Sequence, residues 1–523
     1  MARLCLMLLC VLLQFVFGQS AKVLLVFPVP SSSHHILGTS LAKGLANAGH
    51  DVTLVSPYVD KNIKIQNKNG KYSQIVIKEI DEQHKLNNFD MFGLESKSFM
   101  SMLTVMTKMF GNISNSILKN PELKKLHKEG QTFDVVVIEE FLTDSLKVLH
   151  YNFKASLIAF SSVGPNSMVN DLVGNPSPLS YIPEMSSGLP KKMNFIHRVK
   201  NVLGFIIGKA FKYFYIRKYQ SAYLKEHYPD APSIDELKYN VSLVLMNSHV
   251  STFQPVPTVP CMVSIGGYHV HPPKPLPEDL KKYLDDAKDG VVYFSMGSVL
   301  KGTNLPKEKI DIIIGAFKQL KQKVLWKWED DKLPGKPDNV KIEKWLPQQD
   351  ILAHPNVKLF ISHGGLLSTT EVIYHGKPVL PIPVFGDQFL NAQHMEEYGF
   401  ALVHKFSELT NTEEFLAKIK ELLYNPKYYQ NAQYRSKILH DQPIKPMDVA
   451  AFWVDHVARH KGAPHLRVGA LDLPWYQLHL IDVIAFLIIA PIVVLIVLSC
   501  IIRKICSCLC KKDNSNKTKV KKN

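Results

Sequence analysis

Short apolar runs rich in β-branched residues alternate with longer helical stretches along most of this chain, and the alternation occurs twice, with a proline-rich break between. The first set covers residues 23–27, 52–55, 135–138, 157–160 and 241–246; the second covers 291–295, 324–328, 340–342, 357–361 and 379–382. Runs this short and apolar suit strands buried on both faces, and the helical intervals suit the crossovers of a parallel sheet. The break reads Gln254-Pro-Val-Pro-Thr-Val-Pro260 and His271-Pro-Pro-Lys-Pro-Leu-Pro277 around Gly266-Gly267. Proline fixes φ and lacks a backbone donor, so a stiff linker is expected there. A chain of 523 residues is also too long for one ordinary core. The expected architecture is two α/β domains facing a cleft, at 19–253 and 281–440, with the linker at 254–280 and further helices at 409–424 and 447–461. Such sheets bind ligands at the carboxyl ends of their strands, so functional residues are sought just after each run.

The two ends predict a membrane topology. Residues 1–18 carry Arg3, an apolar run and Gly18, the pattern of a cleaved secretory signal. Residues 481–502 read as a transmembrane helix, because 483–502 gives 20 residues without a charge, enough to span roughly 30 Å of hydrocarbon. Residues 441–480 are then C-terminal helices and the approach to the membrane. Arg503 and Lys504 follow, and the tail 503–523 carries +7 of the chain's +16. This flank predicts a cytosolic tail and a lumenal body. It also accounts for much of the basic excess, which argues against a nucleic-acid partner. Lys519 and Lys521 stand fifth and third from the end, resembling the dilysine retrieval signal of endoplasmic-reticulum membrane proteins. The expected placement is a single-pass type I protein of that membrane. Of the seven cysteines only Cys261 lies in the body, so no intramolecular disulfide is available there. Asn112-Ile-Ser and Asn240-Val-Ser are lumenal glycosylation acceptors, and Cys506, Cys508 and Cys510 beside the membrane suit either acylation or inert thiols.

The densest chemistry follows the run 357–361, in Ser362-His363-Gly364-Gly365-Leu366-Leu367-Ser368-Thr369-Thr370-Glu371. Glycines where a strand turns into a helix leave backbone N–H groups free to hold a diphosphate. His363 can donate to a phosphate oxygen, and Glu371, two helical turns on, can reach a ribose diol. After the next run, Asp387-Gln388 offers a carboxylate and an amide to the hydroxyls of a sugar. Upstream, Trp345 offers a face for a planar base and Gln348 an amide for its edge or ribose.

The stretch from 360 to 388 resembles the donor-binding signature of the UDP-glycosyltransferases, glycosyltransferase family 1. Phe360, Ser362, His363, Gly365, Ser368, Glu371, Pro378, Pro381, Asp387 and Gln388 all match in spacing, and Phe294-Ser295-Met296-Gly297-Ser298 is similar to the family's first C-domain strand with its donor-contacting serine. The resemblance implies the GT-B fold, two Rossmann-like domains, plus the C-terminal membrane helix. It implies that His363 and the Gly364–Gly365 backbone hold the diphosphate with Ser298, that Trp345 stacks on uracil, and that Gln348 and Glu371 contact the nucleoside. Asp387 and Gln388 would bind the sugar. Many members carry Asn where this chain has Leu367; that phosphate contact is lost here or passes to Ser368. The wording of the motif looks most like insect microsomal UDP-glucosyltransferases, which implies UDP-glucose as donor and conjugation or detoxification of lipophilic acceptors.

In the first domain the run 23–27 exits into Pro28-Val-Pro30-Ser31-Ser32-Ser33-His34-His35. Attack by an acceptor hydroxyl needs a base, and imidazole suits this. Family members carry Ser-His with a Gly-His pair 16 residues later; counting back from Gly49-His50 selects His34 and leaves His35 and His50 structural. A carboxylate normally orients such a histidine. The candidates are Glu139, at the end of the run 135–138, and Asp144; the insect-like pattern favours Asp144. The expected reaction is in-line displacement with inversion. No Asp-x-Asp triplet occurs, so no metal and no cofactor beyond the UDP-sugar co-substrate is expected. Residues 195–219 form a basic amphipathic stretch suited either to a membrane surface that admits acceptors or to a solvated helix. Homo-oligomerisation is left open. A non-catalytic lumenal protein that binds UDP-sugars or partner subunits is the alternative; a nicotinamide oxidoreductase fails because no G-x-G-x-x-G follows the first run.

Overall fold

The computed structural model describes residues 20–60, 63–86, 92–93, 99–185 and 187–520. The expected signal at 1–18, and Lys521 of the two retrieval-like lysines, lie outside the described residues. The chain forms one compact unit through Arg467 and a second from Val468.

The first unit holds two wholly parallel sheets. The first contains β1 (Lys22–Val26), β2 (Asp51–Ser56), β3 (Lys71–Val76), β4 (Val135–Glu139), β5 (Ser156–Ser161), β6 (Val241–Met246) and β7 (Met262–Ser264), in the order β3-β2-β1-β4-β5-β6-β7. The second contains β8 (Val291–Ser295), β9 (Lys323–Lys327), β10 (Val340–Glu343), β11 (Val357–Ser362) and β12 (Val379–Pro381), in the order β10-β9-β8-β11-β12. All ten expected runs are strands. Two more were not expected. β3 is half-exposed and polar at alternate positions, so it lacks the apolar run that marked the others. β7 lies inside the proline-rich break and pairs with β6; the break is therefore not simply a linker, and the first domain extends beyond 253.

Both sheets are wound alike. The chain starts at the centre, steps outward twice, then returns to the other side of the first strand. Each sheet thus has a switch point where successive crossovers leave in opposite directions, β1 against β4 and β8 against β11, and a crevice opens there. The central strands β4, β5 and β8 are buried almost throughout and mostly apolar, with valine, leucine, isoleucine and aromatic residues, as expected for sheets covered on both faces.

Among the helices, α1 (Ser32–Asn47) follows β1, and α2 (Phe195–Phe211) runs into a π-helical turn at Lys212–Ile216. In the second lobe, α3 (Gln348–Ala353) precedes β11, α4 (Leu366–Tyr374) follows it, and α5 (Gln388–Glu397) follows β12. The expected C-terminal helices are present at Thr412–Tyr424 and, as α6, at Pro446–Arg459. Here the structure departs from the expected boundary at 441. Rather than leading away toward a membrane, α6 returns to the first lobe and places Ala450, Val454 and Val457 in its core. His50, read as structural, accepts from Ala21 N–H at 3.2 Å and stands 3.7 Å from Asp455 of α6.

The second unit contains α7 (Ile481–Val520), 40 residues long. Its segment Ile481–Cys508, which contains an 18-residue stretch of mean hydropathy 3.2, is long and apolar enough to cross a bilayer. The helix passes through Pro491 unbroken and continues past the expected end at 502.

Candidate active site

The first switch point brings two side chains together by register. β1 and β4 pair with Val26 opposite Ile138, so the residue ending β4, Glu139, lies beside the chain leaving β1. That chain runs through Pro28 and Pro30 and turns into α1, whose first turn carries His34. The fully buried Glu139 carboxylate pairs with His34 Nδ1. His34 Nε2 makes no hydrogen bond among the described residues, and Phe141 meets the ring edge-on at 5.4 Å. Burial pulls the His34 pKa down, but the Glu139 charge and hydrogen bond, with a contribution from Asp387, leave it above the ordinary histidine value.

The partner of His34 is therefore Glu139, and the expectation of Asp144 is corrected. Asp144 opens the turn Asp144–Lys147 and bonds Lys147 Nζ at 2.8 Å. Lys147 also bonds Glu140 at 2.9 Å, and Lys212 stands 3.6 Å from Asp144. Burial would raise the Asp144 pKa, but Lys147, Lys212 and Lys238 hold it well below the usual carboxylate range. Asp144 compensates a buried lysine and does not line the cavity described below.

The second switch point holds His363. Gly297 has φ +82°, and a Cβ there would fall 2.5 Å from the His363 ring; a Cβ on Gly365 would also fall 2.5 Å from it. The imidazole fits between these two turns because neither carries a side chain. Gly365 is the N-cap of α4, and the N–H groups before Thr369 precede the first intrahelical bond, so they face outward as anion donors. Burial, then the nearby Lys327, push the His363 pKa down to about 4. His363 is thus neutral at physiological pH and acts as a hydrogen-bond donor or acceptor without charge.

Along α4, Ser368 and Glu371 meet Gln348. Gln348 Nε2 donates to Ser368 Oγ at 2.9 Å and to Glu371 Oε2 at 2.5 Å, while its carbonyl accepts from Tyr293 at 3.2 Å. Gln349 donates to the other Glu371 oxygen at 3.2 Å. Burial raises the Glu371 pKa to about 7, partly offset by these amides. Trp345 is 69% exposed, leaving its indole open to stacking. Leu367 packs against the core of the first lobe. At the exit of β12, Asn391 donates to Asp387 at 2.8 Å and to the Gly364 carbonyl at 3.0 Å. Gln388 accepts from the Val384 and Phe385 amides at 2.9 and 3.2 Å, which leaves its NH2 for a ligand. Burial raises the Asp387 pKa, with Asn391 and His34 opposing.

His34, Ser298, Trp345, Gln348, His363, Gly365, Ser368, Glu371, Asp387 and Gln388 all line one cavity of about 1020 Å3. Its first-lobe side is largely apolar, with Met106, Met109, Phe110, Phe141, Phe205 and Phe211. Sequence reading missed Asn391 and Lys327. Lys327 ends β9, so the rule that sites follow strand exits would have found it.

A two-lobed protein with a nucleotide-type site at one switch point and a carboxylate-held histidine at the other is a GT-B glycosyltransferase in class. The family model for UDP-glucoronosyl and UDP-glucosyl transferase matches residues 22–520, and the chain belongs to that family. It is 37% identical over 490 residues to UDP-glycosyltransferase UGT5 of Dactylopius coccus, covering 92% of this chain and 91% of that protein. It is 32% identical over 523 residues to UDP-glucuronosyltransferase 2A3 of Mus musculus, covering 95% and 93%. In fold it is similar to the solved UDP-glucose: anthocyanidin 3-O-glucosyltransferase in complex with UDP, with TM-score 0.55, 14% identity and coverage of 85% and 100%. The chain is a glycosyltransferase that moves a sugar from a UDP-sugar to an acceptor.

Proposed function

We propose that this enzyme transfers glucose from UDP-glucose to hydroxyl groups of small lipophilic acceptors, with inversion, and that His34 is the general base. The observation carrying this reading is that His34, its Nδ1 held by Glu139 and its Nε2 unbonded, shares a cavity with His363 and the start of α4. The acceptor O–H gives its proton to Nε2 as its oxygen bonds C1 of the sugar. The bond from C1 to the diphosphate breaks with its electron pair, and UDP leaves from the opposite face. Glu139 fixes the tautomer and stabilises the imidazolium. Asp387 and the Gln388 NH2 receive sugar hydroxyls; Glu371 and Gln348 receive the ribose, and Trp345 the base. The helix start of α4 stabilises the leaving group without a metal.

Lipophilic acceptors are supported by the apolar first-lobe wall of the cavity, and by the outward residues Phe195, Leu203, Ile206 and Phe214, exposed beside Lys200, Lys209 and Lys212. The proposed setting is the endoplasmic-reticulum membrane, anchored by α7, body lumenal and tail cytosolic. Glucose rests on the likeness of the 362–371 motif to insect members. The test offers membranes bearing this protein UDP-glucose, UDP-glucuronate and UDP-galactose with a panel of phenols, with and without EDTA. Transfer from UDP-glucose that persists in EDTA supports the reading. Preference for another donor overturns the sugar, loss with EDTA overturns the metal-free account, and no transfer from any donor favours a binding protein.

A further inference from the structure

His363 is neutral, and a helix start supplies only about half a positive charge. A departing UDP carries more negative charge than these balance, so a cation on the donor side is expected. Of the lysines lining the cavity, Lys200, Lys209 and Lys212 belong to the first-lobe wall built by 195–219, and Lys274 lies where its N–H bonds Asp350. Lys327 alone stands at a strand exit of the second sheet, where β9 ends beside β8. Its side chain is 11% exposed, and Nζ donates to the Gly297 carbonyl at 2.9 Å and to Glu329 at 2.7 Å. An ammonium has three donors, so one remains. Gly297 is the residue against the His363 ring, which puts Lys327, His363 and the Gly297-Ser298 turn around one corner of the cavity.

We infer that Lys327 is a donor-binding residue whose ammonium contacts the diphosphate and stabilises it as the leaving group, with the Glu329 carboxylate competing for the same ammonium. This rests on the donor-site reading above and adds a charged contact to it. Lowering of the His363 pKa by Lys327 agrees with their proximity.

The experiment titrates full-length detergent-solubilised protein with UDP, UMP and uridine. In Lys327→Met, UDP binding is expected to weaken about 10- to 100-fold, UMP less, and uridine less than about twofold, since the lost contact is a charged hydrogen bond to phosphate. Lys327→Arg restores most of the UDP affinity. Glu329→Gln, which removes the competing carboxylate, tightens UDP but not uridine. Equal weakening of UDP and uridine in Lys327→Met would mean that the lysine only ties down the 297–298 turn, and unchanged UDP affinity would mean that it makes no contact; either overturns the inference. Looser UDP binding in Glu329→Gln does the same without relying on the methionine variant to fold. Wild-type protein that fails to bind UDP would instead sink the donor-site reading itself.

Discussion

His34 and His363 both stand at the switch point of their own sheet, His34 in the helix that follows the first strand β1 and His363 directly after β11 on the other side of its switch point, yet their surroundings push them in opposite directions. His34 faces the buried Glu139 and holds its proton more tightly than an ordinary histidine. His363 faces Lys327, has its buried Nδ1 unpartnered, and is driven to about 4. Burial acts downward on both; the sign of the neighbouring charge decides the outcome. The same side chain is thereby suited to accepting a proton in one lobe and to remaining neutral beside a phosphate in the other.

The strongest challenge to this contrast is to remove each histidine. His34→Ala should lower kcat by about 100- to 10,000-fold while leaving the UDP dissociation constant unchanged. His363→Ala should do the reverse, weakening UDP more than it slows a saturated enzyme. Parallel losses in the two variants would erase the distinction. The pH profile sharpens it. A base works unprotonated, and the His34 pKa is raised, so kcat/KM should fall as pH drops through a midpoint above 6.5. Glu139→Gln removes the raising charge but not the burial, and should move that midpoint below 6.5. A midpoint that does not move would detach Glu139 from the base.

Next in size is the contrast between Glu139 and Asp144. Asp144→Asn takes one of its two carboxylates from the buried Lys147, leaving Glu140, and should cost up to about 3 kcal/mol of stability, seen as a drop in melting temperature. Glu139→Gln should melt near wild type while losing turnover. A stable but inactive Asp144→Asn protein would restore Asp144 to the site.

The smallest effect concerns Glu371, whose pKa stands at about 7. If the ionised form accepts the ribose hydroxyls, uridine affinity should rise roughly tenfold from pH 6 to pH 8, as the carboxyl gives up its proton. Glu371→Gln should flatten that dependence. A flat wild-type profile would separate Glu371 from the nucleoside.

The donor half was legible because its residues are close in the chain. From Trp345 to Gln388 one strand exit follows another, so Gln348, Glu371 and Asp387 could each be read as facing one ligand, although the bond between Gln348 and Glu371 is visible only in the structure. The strands of both sheets were legible wherever they are buried on both faces; β3, polar at alternate positions, and the three-residue β7 within a proline-rich stretch carry no such signature. The return of α6 to the first lobe was equally hidden, since an amphipathic helix does not encode which core its apolar face will meet.

What the amino-acid order determined by itself was the double α/β winding, the donor pattern and an apolar segment able to cross a membrane, all properties of local periodicity and spacing. What only the tertiary structure decided was the carboxylate of His34. Glu139 and Asp144 differ by five positions, and either type of group suits the role. The pairing of Val26 with Ile138 carries the end of β4 alongside the histidine, while Lys147 claims Asp144. Register across a sheet and the neutralisation of a buried charge act between residues far apart in the chain, so no local pattern records them.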